Sequence, residues 1–166
     1  MGGAVQVAGN LMDNHTGANE VAEWNIYCDP DAATAVFQSK FPKLLVPLDA
    51  TNKVPIDRSF VERFSQLRLS ALGRIVSEVL VAALPLIDTG LYFAWDLLAA
   101  VAMLDPSILE CRRAYLDIVV DGENVGQTKL REWTESSELN VALDADARRF
   151  ASLYEKVFLT ATSQAG

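Results

Sequence analysis

Histidine occurs once in these 166 residues, at His15, and cysteine only twice, at Cys28 and Cys111. A Ser-His-Asp or Cys-His mechanism would therefore rest on His15, and nothing beside it has the form of a nucleophile elbow. No Cys-x-x-Cys pair is present, so a structural zinc site has no recognisable spacing. Basic residues are few: 14 Lys and Arg stand against 22 Asp and Glu, a net charge of -8 with a pI near 4.6. That balance excludes a phosphate-tracking surface for nucleic acid and disfavours an anionic membrane as partner. Long apolar runs are absent too. The most apolar stretch, Ile75 to Ile87, is broken by Ser77, Glu78 and Pro85 and is too short to span a bilayer. With no recognisable secretory leader, reduced thiols in a cytoplasm are the expected state.

What is present is a core-forming composition. Hydrophobic residues make up 51%, charged residues 22%, and mean hydropathy is +0.16, which excludes general disorder. The length suits one domain, and without repeat, linker or low-complexity tract residues 1–166 read as a single unit. The apolar fraction is high for a free-standing domain of this size and points to a surface normally covered by something else.

Met1 to Val7 reads as a strand, and a polar loop follows from Gly9 to Glu20. Asp29-Pro30-Asp31 starts a helix, with Asp29 as cap and Ala32, Ala33, Val36 and Phe37 on its buried side, ending near Ser39. Lys43 to Asp49 is expected as a strand, with Pro47 at an edge or bulge. Strand, helix and strand in this order make a parallel crossover of α/β type. Asp57 caps a helix with Phe60, Phe64 and Leu67 at helical spacing, and Leu69 to Leu84 continues helical with an interruption at Gly73. Arg112 to Val120, Val125 to Trp133 and Leu139 to Leu143 are strand-like, with Asp121-Gly122-Glu123 as a hairpin turn. Asp144 starts a last helix whose Phe150, Leu153, Tyr154, Val157 and Phe158 form one face. Thr160 to Gly166 reads as a frayed tail.

Leu91-Tyr92-Phe93-Ala94-Trp95-Asp96 is an aromatic cluster that ends in a carboxylate and runs into a helix anchored by Leu97, Leu98, Val101 and Leu104. Such a junction suits a binding site, and the acid suits the helix dipole. Asp96 could equally be a cap and Trp95 a core residue. The second stretch is Gly9-Asn10 through Glu23-Trp24-Asn25. Glu23 and Asn25, two apart, share a side only if extended; otherwise Asn25 turns the chain and Glu23 is solvated.

Met1-Gly2-Gly3, Gly9-Asn10, the run Ala22-Glu23-Trp24-Asn25-Ile26-Tyr27-Cys28-Asp29-Pro30-Asp31-Ala32-Ala33, Pro47-Leu48-Asp49-Ala50-Thr51 and Trp95-Asp96 stand in the order found in one family. From Met1 to about Thr128 the chain resembles the C-terminal half of a nucleoside hydrolase of the inosine-uridine preferring or purine nucleosidase type. The resemblance implies an α/β fold: a short parallel sheet segment with flanking helices, plus a C-terminal β-hairpin and helix. It also implies hydrolysis of the N-glycosidic bond of ribonucleosides, with a calcium ion that orients and activates water. On the same basis Asp96 is a calcium ligand, Asn10, Glu23 and Asn25 hold ribose hydroxyls, and Met1 packs near the sugar. Nonspecific members carry His before the aspartate as proton donor to the leaving base, whereas purine-preferring members tend to have Trp. Trp95, with Trp24 lining the pocket, thus implies purine nucleosides; an indole has no titratable proton near neutrality but stacks on a purine.

The family's Asp-x-Asp-x-x-x-Asp-Asp motif, source of most calcium ligands and of the base that activates water, has no counterpart in this sequence. Asp117, Asp121 and Glu123 come closest and read as solvated. No residue is therefore assigned as catalytic base, and calcium is expected only together with the missing N-terminal half. The expected partners are a nucleoside and either that half or a second copy of the chain. The alternative is a non-catalytic, truncated or repurposed module that binds a protein partner.

Overall fold

The computed structural model describes residues 1–11, 19–131 and 138–160. His15, Trp133, most of the loop between Asn10 and Glu20, and the tail beyond Thr160 lie outside the described residues.

Five residues, Trp24–Cys28, form α1, and Pro30–Gln38 forms α2. The α2 start follows its sequence signals, since Asp29 accepts from the Ala32 amide and Pro30 occupies the first turn. Its buried face is narrower than the apolar pattern indicates: Phe37 is buried, Ala32 and Val36 are exposed, and Ala33 is half-buried. Next come β1, Leu44–Leu45, and the one-turn helix α3, Leu48–Thr51. The expected strand to Asp49 is cut short because the Leu48 amide donates to the carbonyl of Gly3, and the chain then turns into α3.

Helices α4 (Arg58–Ser65), α5 (Ala71–Ala82), α6 (Leu84–Ile87) and α7 (Trp95–Leu104) follow. Asp57 caps α4 through the Phe60 amide, and Ser70 caps α5 through the Gly73 amide. Gly73 does not interrupt α5. It lies inside the helix, where a Cβ would stand 2.7 Å from the Phe158 carbonyl oxygen, so glycine is required by the close approach of another backbone.

After a 3-10 turn at Pro106–Ile108 come β2 (Leu109–Ile118), β3 (Thr128–Arg131), β4 (Leu139–Ala145) and α8 (Ala147–Phe158). The last helix starts later than expected. Asp146, not Asp144, caps it by accepting from the Arg148 and Arg149 amides, while Asp144 still belongs to β4. Spatial order in the sheet is β1-β4-β2-β3. The β1–β4 pair is parallel, with Leu44 opposite Asn140; β4–β2 and β2–β3 are antiparallel. The parallel segment and the C-terminal hairpin and helix are thus the architecture implied by the resemblance.

The Met1–Val7 stretch is not a strand, so the expected parallel crossover from it to Lys43–Asp49 is not formed, and the parallel partner of β1 is β4 instead. The stretch runs beside Val46–Leu48, with Gly2 donating to Val46 and Gly3 accepting from Leu48. Gly3 then takes φ +85, and the amides beyond it turn to a side chain instead of a ladder.

Two apolar clusters pack on the sheet. Val141 of β4 belongs to one, with Ile26, Phe37, Leu45, Leu116, Ile118 and Leu139; its neighbour Ala142 belongs to the other. Successive strand side chains alternate faces, so β4 has both faces covered. The larger cluster is helical and is centred on Phe60, Phe64, Phe150 and Tyr154, whose rings lie 5.6–6.2 Å apart along Phe60–Phe64, Phe64–Tyr154 and Phe150–Tyr154. Val157, expected on the buried face of α8, and Leu104, expected to anchor α7, are instead 54% and 68% exposed.

Candidate functional site

Met1 is held at the edge of the sheet by hydrogen bonds to the residues after it. Both carboxylate oxygens of Asp49 are engaged by backbone amides, Val5 at 2.9 Å and Gln6 at 2.7 Å, and Asp49 is itself buried. The amide of Gly3 donates to Glu23 at 3.0 Å. Two buried acids thereby fix the glycine-rich start from either side. A carboxylate removed from water needs such donors, because an unpaired buried charge is strongly unfavourable.

Gly9 and Asn10 run against Glu20–Ala22, with the Gly9 amide donating to Glu20 and the Asn10 amide to Ala22. A Cβ on Gly9 would stand 2.0 Å from the Ala22 carbonyl oxygen, so no other residue fits. Asn10 Oδ1 accepts from the Trp24 amide at 2.9 Å, which leaves its NH2 group as a donor.

Glu23 and Asn25 do not share an extended strand. Glu23 is the N-cap of α1: its Oε2 accepts from Ile26 at 3.2 Å as well as from Gly3, and the side chain is 1% exposed. These capping bonds wind the chain into a helix at the point where alternation predicts extension. Asn25 then lies in the first turn, where its Nδ2 reaches the Met1 carbonyl at 3.5 Å and the Met1 sulfur at 3.7 Å.

Trp95 and Asp96 open α7, whose N-cap is Ala94. Asp96 is exposed and is not the cap residue, so capping does not account for it. Trp95 is half-buried, with Tyr92 and Phe93 edge-on to its indole at 5.2 and 6.1 Å.

These segments meet. One cleft of about 250 Å³ is lined by Met1, Asn10, Glu23, Trp24, Asn25, Trp95 and Asp96. Every residue that the resemblance assigns to sugar, base or metal is on its wall. Among the described residues no three His, Cys, Asp or Glu side chains come together as a metal site. Calcium takes six to eight oxygens and Asp96 offers at most two, so the residues described do not by themselves fit that ion. Of the remaining acids, Asp117 is ion-paired with Arg131, whereas Asp121 and Glu123 are exposed on the hairpin turn.

Sequence reasoning missed Asp49, read as the end of a strand. A lone acid inside the apolar Val46-Pro47-Leu48-Asp49-Ala50 run was the available signal. It also missed Asn19, whose Nδ2 donates to the carbonyls of Glu123 at 3.1 Å and Val125 at 2.9 Å and so ties the hairpin to the loop before Glu23.

Comparison with known proteins identifies the family. Over 56 residues, 34% of this chain and 6% of the relative, it is 52% identical to nucleoside hydrolase 3 of Arabidopsis thaliana. Over 80 residues it is 41% identical to the pyrimidine-specific ribonucleoside hydrolase RihA of Salmonella typhi, covering 48% of this chain and 23% of that one. Among solved structures, a plant nucleoside hydrolase superposes with a TM-score of 0.79 at 25% identity, over 93% of this chain and 51% of the other. The chain thus spans about half the length of that solved relative. The family model described as inosine-uridine preferring nucleoside hydrolase matches residues 1–152, and the chain belongs to that family.

Proposed function

We propose that the cleft is the sugar and base half of a ribonucleoside hydrolase site that cleaves the N-glycosidic bond to ribose and free base. The observation that carries this reading is the convergence of Met1, Asn10, Glu23, Trp24, Asn25, Trp95 and Asp96 on one cleft from segments far apart in sequence. The NH2 group of Asn10, the second oxygen of Glu23 and the amide of Asn25 hold ribose hydroxyls, with Met1 against the sugar. Departure of the base leaves positive, oxocarbenium-like charge on the ribose. Neutral amides and a carboxylate held in place around it stabilise that charge more than they stabilise the bound substrate. Trp95 stacks on the base, with Trp24 beside it, which supports purine preference. The Salmonella relative's name points to pyrimidines, so turnover of inosine against uridine decides.

Asp96 is one ligand of a calcium site whose other oxygens come from outside the described residues. Supplied with a polypeptide that carries the family's aspartate-rich motif, the chain should turn over inosine faster than uridine. Trp95→Ala should then lower purine turnover by roughly one to two orders of magnitude, from lost stacking and contact area. Equal rates on the two nucleosides would remove the purine assignment. The 166-residue chain alone should bind ribose weakly, bind calcium poorly and release no sugar, as read by calorimetry and a reducing-sugar assay. Micromolar calcium affinity with ribose release, both lost in Asp96→Ala, would show a complete ligand set within these residues.

A second reading is a non-catalytic module that binds a protein partner or its own copy. It draws on β1, which lies at the sheet edge beside a cleft of about 550 Å³ lined in part by Val36, Phe37 and Leu44. Turnover in the supplemented assay, lost in Asp96→Ala, would decide against it.

A further inference from the structure

The turn between β2 and β3 lies against the chain segment that supplies one wall of the cleft. Val119 donates to the Gln127 carbonyl and accepts from the Gly126 amide, so the strands stay paired as far as the turn itself. Gly126, at φ +83, comes so close to the segment that a Cβ there would stand 2.8 Å from Tyr27 Cα and 3.0 Å from the Ala22 side chain. Gln127 forms an antiparallel bridge with Ala22. Asn19 makes a further tie. Its Nδ2 donates to the carbonyls of Glu123 at 3.1 Å and Val125 at 2.9 Å, 104 and 106 positions along the chain, and its Oδ1 accepts from the Val21 amide at 3.2 Å. An Asn that only turned the chain would bond its own neighbours; this one uses donors and acceptor together to join two distant segments.

We propose that Asn19 is a positioning residue for the sugar side of the cleft and sets the direction in which Asn10 presents its NH2 group. The inference rests on the ribose reading of Asn10, and Asn19 itself is not on the cleft wall. Residues 9–11 have no regular structure, and their placement is set by hydrogen bonds to one limb: the Gly9 amide donates to Glu20 and the Asn10 amide to Ala22. Both acceptors belong to the limb that Asn19 pins. The route is short: one bond from Asn19 Oδ1 to Val21, one peptide unit to Ala22, and one bond from the Ala22 carbonyl to Asn10. Asn10 passes the constraint on, since its Oδ1 accepts from the Trp24 amide at 2.9 Å. Without the clamp the limb keeps the Gln127 bridge and the Gly126 contact, and Asn10 samples directions that do not face the sugar.

NMR of the full chain, with ribose titration and amide hydrogen exchange, tests it. Asn19→Asp keeps the size of the side chain and the acceptor for Val21, but it removes both donors and sets a carboxylate against two carbonyls. Exchange of the Trp24 amide should quicken by about tenfold, and ribose affinity should fall by about fivefold, the scale of one loosened hydrogen bond. Asn19→Ala, which adds no charge, should do the same. In an Asn10→Ala background neither substitution should weaken ribose binding further. Unchanged ribose affinity or unchanged Trp24 exchange in both Asn19 variants overturns the positioning role and leaves the ribose cleft standing. An equal loss in the Asn10→Ala background also overturns it, because the effect would then be a general loosening of the fold. Failure of the parent chain to bind ribose at all removes the ribose reading and this inference with it.

Discussion

At Glu23 and Asp49 a buried carboxylate organises backbone: four amides, from Gly3, Ile26, Val5 and Gln6, converge on two side chains. Bonds to a charged acceptor contribute roughly 1.5–3 kcal/mol each, enough to hold short segments that make little regular structure. A different titratable group reports on the helical core. Burial, with Tyr92 as a smaller contribution, pushes the Tyr154 hydroxyl from its ordinary 10 up to about 12. The folded state therefore favours the neutral phenol. That contribution to stability is complete below pH 10 and is lost as pH rises from there toward 12. Urea unfolding across this window should show Tyr154→Phe losing less stability than the parent chain. Parallel loss in both proteins would place the alkaline sensitivity elsewhere. Single residues were unevenly legible. Trp95 and Asp96 stand out in sequence because an acid follows an aromatic cluster at a helix start. Glu23 does not, since its capping role depends on a Gly3 amide delivered by tertiary structure, and Glu is not a preferred cap.

Among the elements, those that announce themselves chemically were the readable ones. Asp29 with Pro30, and Asp57, mark helix starts by local bonds that need nothing from the rest of the chain. Strand limits were less legible because partners set them: β1 stops where Leu48 bonds Gly3, and β4 runs on through Asp144 because Glu110 pairs with it. Gly73 shows the same dependence. As a helix breaker it reads as an interruption, but the Phe158 backbone beside it explains why a helix keeps it. Gly73→Ala should therefore destabilise. Better helix propensity contributes up to about 1 kcal/mol, while a Cβ at 2.7 Å from a carbonyl oxygen forces α5 and α8 apart at a cost of about 1–3 kcal/mol. A lower urea midpoint with unchanged slope is expected; an unchanged or raised midpoint would mean that the two helices adjust freely.

For the molecule as a whole, the α/β class was legible in the mix of helix and strand signals although the crossover from Met1–Val7 is not formed, and the cleft was reached only through the resemblance, because its walls come from separate parts of the chain. That separation has a kinetic consequence. The parallel pairing of Leu44–Leu45 with Asn140–Val141 closes a loop that contains most of the helices, and the Trp95 wall of the cleft lies within it. Loop-closure entropy must be met before those contacts stabilise anything, whereas α4 and α5 can form from neighbours in sequence. In stopped-flow refolding, far-ultraviolet helix signal should return first. Trp95 fluorescence, isolated by replacing Trp24 and Trp133 with Phe, should return in a slower phase. Simultaneous recovery would mean that the ends of the chain meet as early as its helices form. In the expected order, newly made chains pass through a helical state in which the cleft does not yet exist.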